Sequence, residues 1–210
     1  MRIKKSTSVS MIALAFICLG ASRLLADGTH EAKVRWDIFQ LLPDPVTAVA
    51  GGTSLSAASF EPAQGVGDDS TITLTGSGTF ELGESDEVTG GGTWVTAMKS
   101  GTITGSGTYR VTRLVSFDLA PGDFAGSGLI DGIGNGADAR AGLAVMNVAY
   151  SDGAKGTLVV ICTLGTAAGT PANVIEGTTA TKRFVDYADP FFLNNSPSFG
   201  NTLFHVIHED

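Results

Sequence analysis

The sequence is short of cysteine, histidine, basic side chains and helical periodicity, and each shortage removes a class of function. Two cysteines, Cys18 and Cys162, occur in 210 residues. Cys18 lies in an N-terminal apolar run expected to be removed, so Cys162 is left alone and the remaining chain has no intramolecular disulfide. Cys162 ends the apolar run Thr157-Leu-Val-Val-Ile-Cys162 with no basic neighbour, and a catalytic thiolate needs one. It reads as a buried, inert thiol. The three histidines are His30, His205 and His208. His205 and His208 are three apart, which places them on opposite faces of a strand, and zinc wants three or four converging ligands. No metal and no cofactor is expected.

Thirteen basic residues face 21 acidic ones, a net charge of −8. An acidic body repels phosphate backbones, so nucleic acid is excluded as a partner. It does not suit an anionic membrane surface either. The motif Gly-x-Ser-x-Gly does not occur, and Gly76-Ser77-Gly78 and Gly105-Ser106-Gly107 read as strand glycines. No convincing amphipathic helix is present, and nothing beyond the N-terminal run approaches the length of a membrane span.

What is present begins with Arg2, Lys4 and Lys5, then the apolar stretch Val9 to Leu19, then small residues at Gly20, Ala21, Ser22 and Ala26. This is the pattern of a signal peptide, with cleavage after residue 22 or 26. Loss of residues 1–26 takes four basic side chains (Arg2, Lys4, Lys5, Arg23) and no acid, leaving nine bases, 21 acids and a charge of −12. The expectation is a secreted or periplasmic protein with one domain over residues 27–210 and no integral membrane segment after cleavage.

Glycine supplies 28 of the 210 residues, and together with Thr and Ser it favours strands and turns. Period-two alternation recurs. Val34, Trp36 and Ile38 alternate with Lys33, Arg35 and Asp37, and Pro43 and Pro45 end that strand. Residues 53–60 read as a small-residue strand and Glu61–Ser70 as a loop. Residues 71–82, 91–98 and 102–112 read as a three-stranded meander whose inward face carries Ile72, Leu74, Phe80, Trp94, Ile103, Tyr109 and Val111, with Thr73, Thr75, Ser77 and Thr79 outward. Val115 and Phe117 extend the third strand; Arg113 interrupts its apolar face and calls for a bulge or an inward charge. Residues 83–87 read as an acidic turn and Pro121–Gly142 as a long connection. Leu143–Tyr150, the turn Ser151-Asp152-Gly153 and Leu158–Leu164 make a second hairpin. Structure at Arg183–Tyr187, an apolar knot at Phe191-Phe192 and a last strand at Leu203–His208 complete seven to nine strands. These predict an all-β antiparallel meander closing into a small β-barrel, with a β-sandwich as the alternative. Gly76, Gly78, Gly105 and Gly107 mark tight bends or close backbone approach, and the terminal strand closes the sheet beside the first.

The runs Thr71-Ile-Thr-Leu-Thr-Gly-Ser-Gly-Thr-Phe80, Gly90-Gly-Gly-Thr-Trp94, Gly107-Thr-Tyr-Arg-Val111 and Gly200-Asn-Thr-Leu-Phe-His205 resemble an uncharacterised family of exported bacterial Gly/Thr-rich β-proteins. The resemblance covers residues 34–39, 70–164 and 200–207. It implies export and β-structure and supplies no catalytic residue.

Candidate chemistry is sparse. Asp131-Gly-Ile-Gly-Asn-Gly-Ala-Asp138 offers oxygens at Asp131, Asn135 and Asp138, but Ile133 sits where a calcium loop needs a ligand, so the segment reads as a solvated acidic loop. Trp36, Trp94 and Tyr109 are the candidate ligand-binding residues, able to stack on a sugar or line a pocket, although their strand parity equally fits plain core. No catalytic residue is identified. The expected function is a non-catalytic barrel binding a small apolar or carbohydrate ligand. The alternatives are an envelope or interaction protein without a ligand, and a barrel isomerase or cyclase.

Overall fold

A computed structural model describes residues 32–58, 70–98, 100–124, 127–164, 174–190 and 200–207. Among them there is no α-helix; they form strands β1 (Lys33–Leu42), β2 (Thr47–Ala50), β3 (Ser54–Ala57), β4 (Ser70–Leu74), β5 (Ser77–Glu81), β6 (Glu84–Val88), β7 (Gly91–Met98), β8 (Ile103–Asp123), β9 (Ile130–Asp131), β10 (Ala139–Tyr150), β11 (Lys155–Cys162), β12 (Gly177–Lys182), β13 (Val185–Tyr187), β14 (Asp189–Pro190) and β15 (Asn201–Ile207). The segment read as a signal peptide, His30, His208, residues 61–69 of the expected loop and Phe191-Phe192 lie outside the described residues.

Six strands close a ring. β1 pairs antiparallel with β15, β15 with β10, β10 with β8, β8 with β7, β7 with β5, and β5 again with β1. The chain is therefore a barrel rather than a sandwich, and the last strand joins the first, as expected from the sequence. Two junctions of the ring are short. β10 pairs with β15 only at Ala139 and Arg140 before turning to β11, and β7 meets β5 only at Ser77↔Gly91 before turning to β4. The sheet forks at these points into two wings, β11–β12–β13 and β4–β3–β14. The wings meet where the Thr178 amide donates to Ser54 Oγ at 2.9 Å and the Ser70 and Tyr187 hydroxyls lie 3.5 Å apart.

The barrel axis is filled by side chains. Val34, Trp36, Ile38, Phe80, Met146 and Phe204 are fully buried. The Phe117 ring lies 5.2 Å from Phe80 and 5.1 Å from Phe204, in the tilted geometries that aromatic quadrupoles favour. The wing compartment is packed by Ile72, Leu74, Trp94, Tyr150, Leu158 and Val160. Close approach explains the meander glycines: a Cβ at Gly78 would stand 2.9 Å from Trp36 Nε1, and one at Gly107 would stand 2.9 Å from Trp94 Nε1. The indoles occupy the space these residues leave empty.

Four expectations are corrected. Residues 71–82 form two strands, because β4 runs along β7 while β5 swings across to β1. The acidic turn is strand β6, paired with β5 through Phe80↔Val88 and Glu81↔Glu84. The long connection shrinks, because β8 runs on to Asp123 and β10 starts at Ala139. Ile103 faces outward and is 67% exposed. A bulge between Thr96↔Gly105 and Ala97↔Ile103 inserts one residue, which reverses the face. Further bulges set Leu114 inward and leave Val115 and Arg113 exposed, so the bulge alternative for Arg113 is the one observed. The other six inward residues of the meander are buried, at 6% exposure or less. Ile103→Thr is therefore expected to shift stability by less than about 0.5 kcal/mol, measured by urea denaturation, because the side chain contributes nothing to the core.

Candidate functional site

The three aromatic candidates are buried and converge in the core. Trp36 is fully buried, Trp94 is 3% exposed and Tyr109 is 5% exposed. Trp94 Nε1 donates to the Thr108 carbonyl at 3.1 Å, and the Tyr109 hydroxyl donates to the Thr75 carbonyl at 2.9 Å. Tyr150 links two of them, its ring 6.0 Å from Trp94 and 6.2 Å from Tyr109. Trp36 Nε1 has no partner among the described residues. Lys182 enters the same compartment: its ammonium sits 4.1 Å over the Trp94 ring and 2.5 Å from Asp152 Oδ2 at the β10–β11 turn. The pair holds the Asp152 carboxyl below the usual carboxylate range, chiefly through the Lys182 hydrogen bond.

The concavity lies on the outside. A trough of about 690 Å³ crosses β8, β10, β11 and β12, lined by Arg110, Thr112, Asn147, Ala149, Lys155 and Thr157, with Val148, Gly156 and Thr181 completing it. That volume falls within the range of small-ligand sites. The register explains the placement of its cations. Ala149 pairs with Arg110 on β8 and with Lys155 on β11, so one small residue separates two exposed bases in a single cross-strand row. Their Cα atoms are about 10 Å apart, two strand spacings. The next row carries polar groups: the Thr157 and Thr181 hydroxyls are 3.0 Å apart, and Thr112 Oγ1 donates to the Asn147 carbonyl at 3.1 Å. Among the described residues no carboxylate lines the trough.

A second polar cluster is buried apart from its arginine, whose side chain is 36% exposed. On the outer face of β1 and β15, Arg35 and His205 are register partners. The Arg35 guanidinium grips Asp37 with two hydrogen bonds, 2.7 and 2.9 Å, and the Asp37 side chain is fully buried. Asp37 in turn raises the Arg35 pKa. The segment 127–138 straps across this face. From it, Asp131 Oδ2 meets His205 Nε2 at 2.7 Å, with the two side chains 4% and 3% exposed. Asp131 Oδ1 accepts the amides of Ile133 and Gly134. Burial pushes the Asp131 carboxyl up, but the His205 hydrogen bond and the two amides outweigh it and leave it below the usual range. Asp131, Asn135 and Asp138 do not assemble a calcium cage, because Asp131 is spent on His205 and two amides while Asn135 Oδ1 caps the Ala137 amide.

Two further buried groups have structural work. Glu176 accepts from the Thr202 amide at 3.0 Å and from Thr163 Oγ1 at 3.1 Å, tying β15 to the end of β11 where the two strands separate. Burial raises its pKa. Cys162 is buried, and burial pushes its thiol up, so it carries little thiolate at neutral pH.

Sequence reasoning singled out Asp131 and His205 separately but gave no sign of their pairing, and it passed over Arg110, Asn147 and Lys155. Those three alternate in parity with buried neighbours, which reads only as an exposed strand face. Among the described residues no helix is long and apolar enough to cross a membrane. Comparison with known proteins finds no match: no family model, curated protein or solved structure matches this chain.

Proposed function

We propose that the chain is an exported, non-catalytic binding protein whose ligand is anionic and rich in hydroxyls, an acidic oligosaccharide, held in the external trough. One observation carries this reading: in a chain of charge −8, the described residues that line the trough are two bases, Asn and Thr groups and small or apolar residues, with no acid among them. Two bases whose Cα atoms stand about 10 Å apart suit one carboxylate or sulfate poised over Ala149. The adjacent hydroxyl row suits sugar hydroxyls. The aromatics of the interior are packed against one another, so the ligand is placed outside the barrel rather than within it. The Asp131–His205 pair is shut away from solvent, which favours binding over catalysis. The signal-like N-terminus and the resemblance to exported Gly/Thr-rich β-proteins support export.

Calorimetric titration with a uronate-containing oligosaccharide and its neutral counterpart tests the reading. The acidic ligand is expected to bind at least tenfold more tightly, with affinity falling as salt rises. Arg110→Glu/Lys155→Glu is expected to abolish the difference. Both side chains are exposed, so the melting temperature should hold. Equal affinities for the two ligands, or full binding by the double variant, would refute it. The interaction-protein reading draws on an exposed apolar group at the β1–β2 tip, Leu41, Leu42, Val46 and Ile130, and predicts no oligosaccharide binding at all.

A further inference from the structure

We propose that the strap 127–138 is a clasp that stays closed over the outer face of β1 and β15 only while Asp131 is ionised. The geometry is specific. His205 is 2% exposed and lies directly under Gly134, where a Cβ would approach the imidazole to 2.8 Å. Its Nε2 meets Asp131, and its Nδ1 is buried without a hydrogen-bond partner. Arg35 reaches the strap as well, its Nη1 3.5 Å from the Ile133 carbonyl oxygen.

The charges facing this point are few. β1 contributes Arg35 and Asp37, and the strap contributes Asp131. Ala139, the β10 residue opposite His205, contributes none, and the neighbouring Arg140 donates to the carbonyls of Ala137 and Ala139. One register step away stand Lys33 of β1 and its partner Glu81 of β5. The strap's other hold on the barrel is the two-residue parallel pairing of β9 with β2, together with the packing of Leu129 and Ile133 and the Val206 amide on the Asp138 carbonyl. The Asp131–His205 hydrogen bond is thus the central fastening of a segment with few backbone ties.

Protonation of Asp131 removes the carboxylate that meets His205 Nε2 and faces Arg35, so the strap loses its fastening and lifts. The sign follows from linkage. The folded-state pKa of Asp131 lies below its ordinary value, so its contribution is complete above about pH 4 and is lost as pH falls further. An open clasp bares the imidazole of His205 and uncovers the rest of the Arg35 side chain, which is 36% exposed in the closed form.

Hydrogen–deuterium exchange on the full chain, corrected for the intrinsic pH dependence of exchange, tests this. In wild type, the amides of Ile130 and Gly132, which donate to the Val46 and Ala48 carbonyls of the barrel, should lose protection by at least tenfold below pH 4, while β10 and β11 stay protected. In Asp131→Asn the loss should already be present at pH 7. Asn keeps an oxygen for the Ile133 and Gly134 amides, so the local turn is preserved, while the charge is lost and an NH2 group replaces the oxygen that meets His205. Strap protection that is unchanged in Asp131→Asn at pH 7 would overturn the proposal. So would a wild-type strap that opens only together with β10 and β11, and this second measurement decides the matter even if the variant folds poorly.

Discussion

Phe80→Ala is expected to lower the free energy of unfolding by about 3–5 kcal/mol. Phe80 is fully buried in the six-stranded ring, where its ring meets Phe117, and Phe117 in turn meets Phe204. These three rings come from β5, β8 and β15, so truncation removes the element that packs three separate strands against one another. Its register partner Val34 is also fully buried and branched at Cβ, and cannot reach into the vacated space. The cavity should therefore persist, which puts the cost toward the upper end of the range. Chemical denaturation followed by tryptophan fluorescence reads the effect. A loss below about 1 kcal/mol would mean that the ring is not closed around Phe80.

The second large effect concerns charge rather than volume. Arg35→Met is expected to cost about 3–5 kcal/mol, because it strands the Asp37 carboxylate, which is fully buried and takes both its short hydrogen bonds from the guanidinium. The paired variant Arg35→Met/Asp37→Leu should recover much of the loss, since replacing a buried ion pair by apolar groups of similar size is often close to neutral. The coupling in this double-mutant cycle should therefore be large, with the double variant more stable than the Arg35 single variant. If the Arg35 variant is as stable as wild type, Asp37 is hydrated and the outer face of β1 is open to water.

The two cases differ in how far the sequence announced them. Ile72, Leu74 and Phe80 alternate with Thr and Gly because one face of their strands is buried, and that constraint writes a period of two into the chain. Closure by the terminal strand was legible for a similar reason: β15 is apolar at Leu203, Phe204 and Val206, and such a strand needs partners on both edges. Bulges leave no such mark. Ile103 and Val115 look like core residues, and a single inserted residue turns each outward. Strand β6 was hidden by composition, since Glu84-Ser-Asp-Glu favours a turn until β5 supplies a ladder and Arg113 stands 3.7 Å from Asp86.

The sites were less legible than the fold. Asp131 and His205 are 74 residues apart, and nothing local to either predicts that a strap carries one onto the other. The trough is built from single residues on four strands, brought into rows by register alone. Arg110, Asn147 and Lys155 are ordinary surface residues in sequence and a site only in the sheet. Trp36, Trp94 and Tyr109 drew notice because such rings can stack on a sugar or line a pocket, yet their nearness to one another reflects how the barrel and the wing compartment are filled.

Amide chemical-shift mapping with a uronate-containing oligosaccharide tests the central claim most directly. The reading of the trough as the binding site predicts saturable shifts concentrated at Arg110, Thr112, Asn147, Ala149, Lys155, Thr157 and Thr181, on four strands that are distant in sequence. Saturable shifts clustered elsewhere on the chain, or none at millimolar ligand, would contradict it.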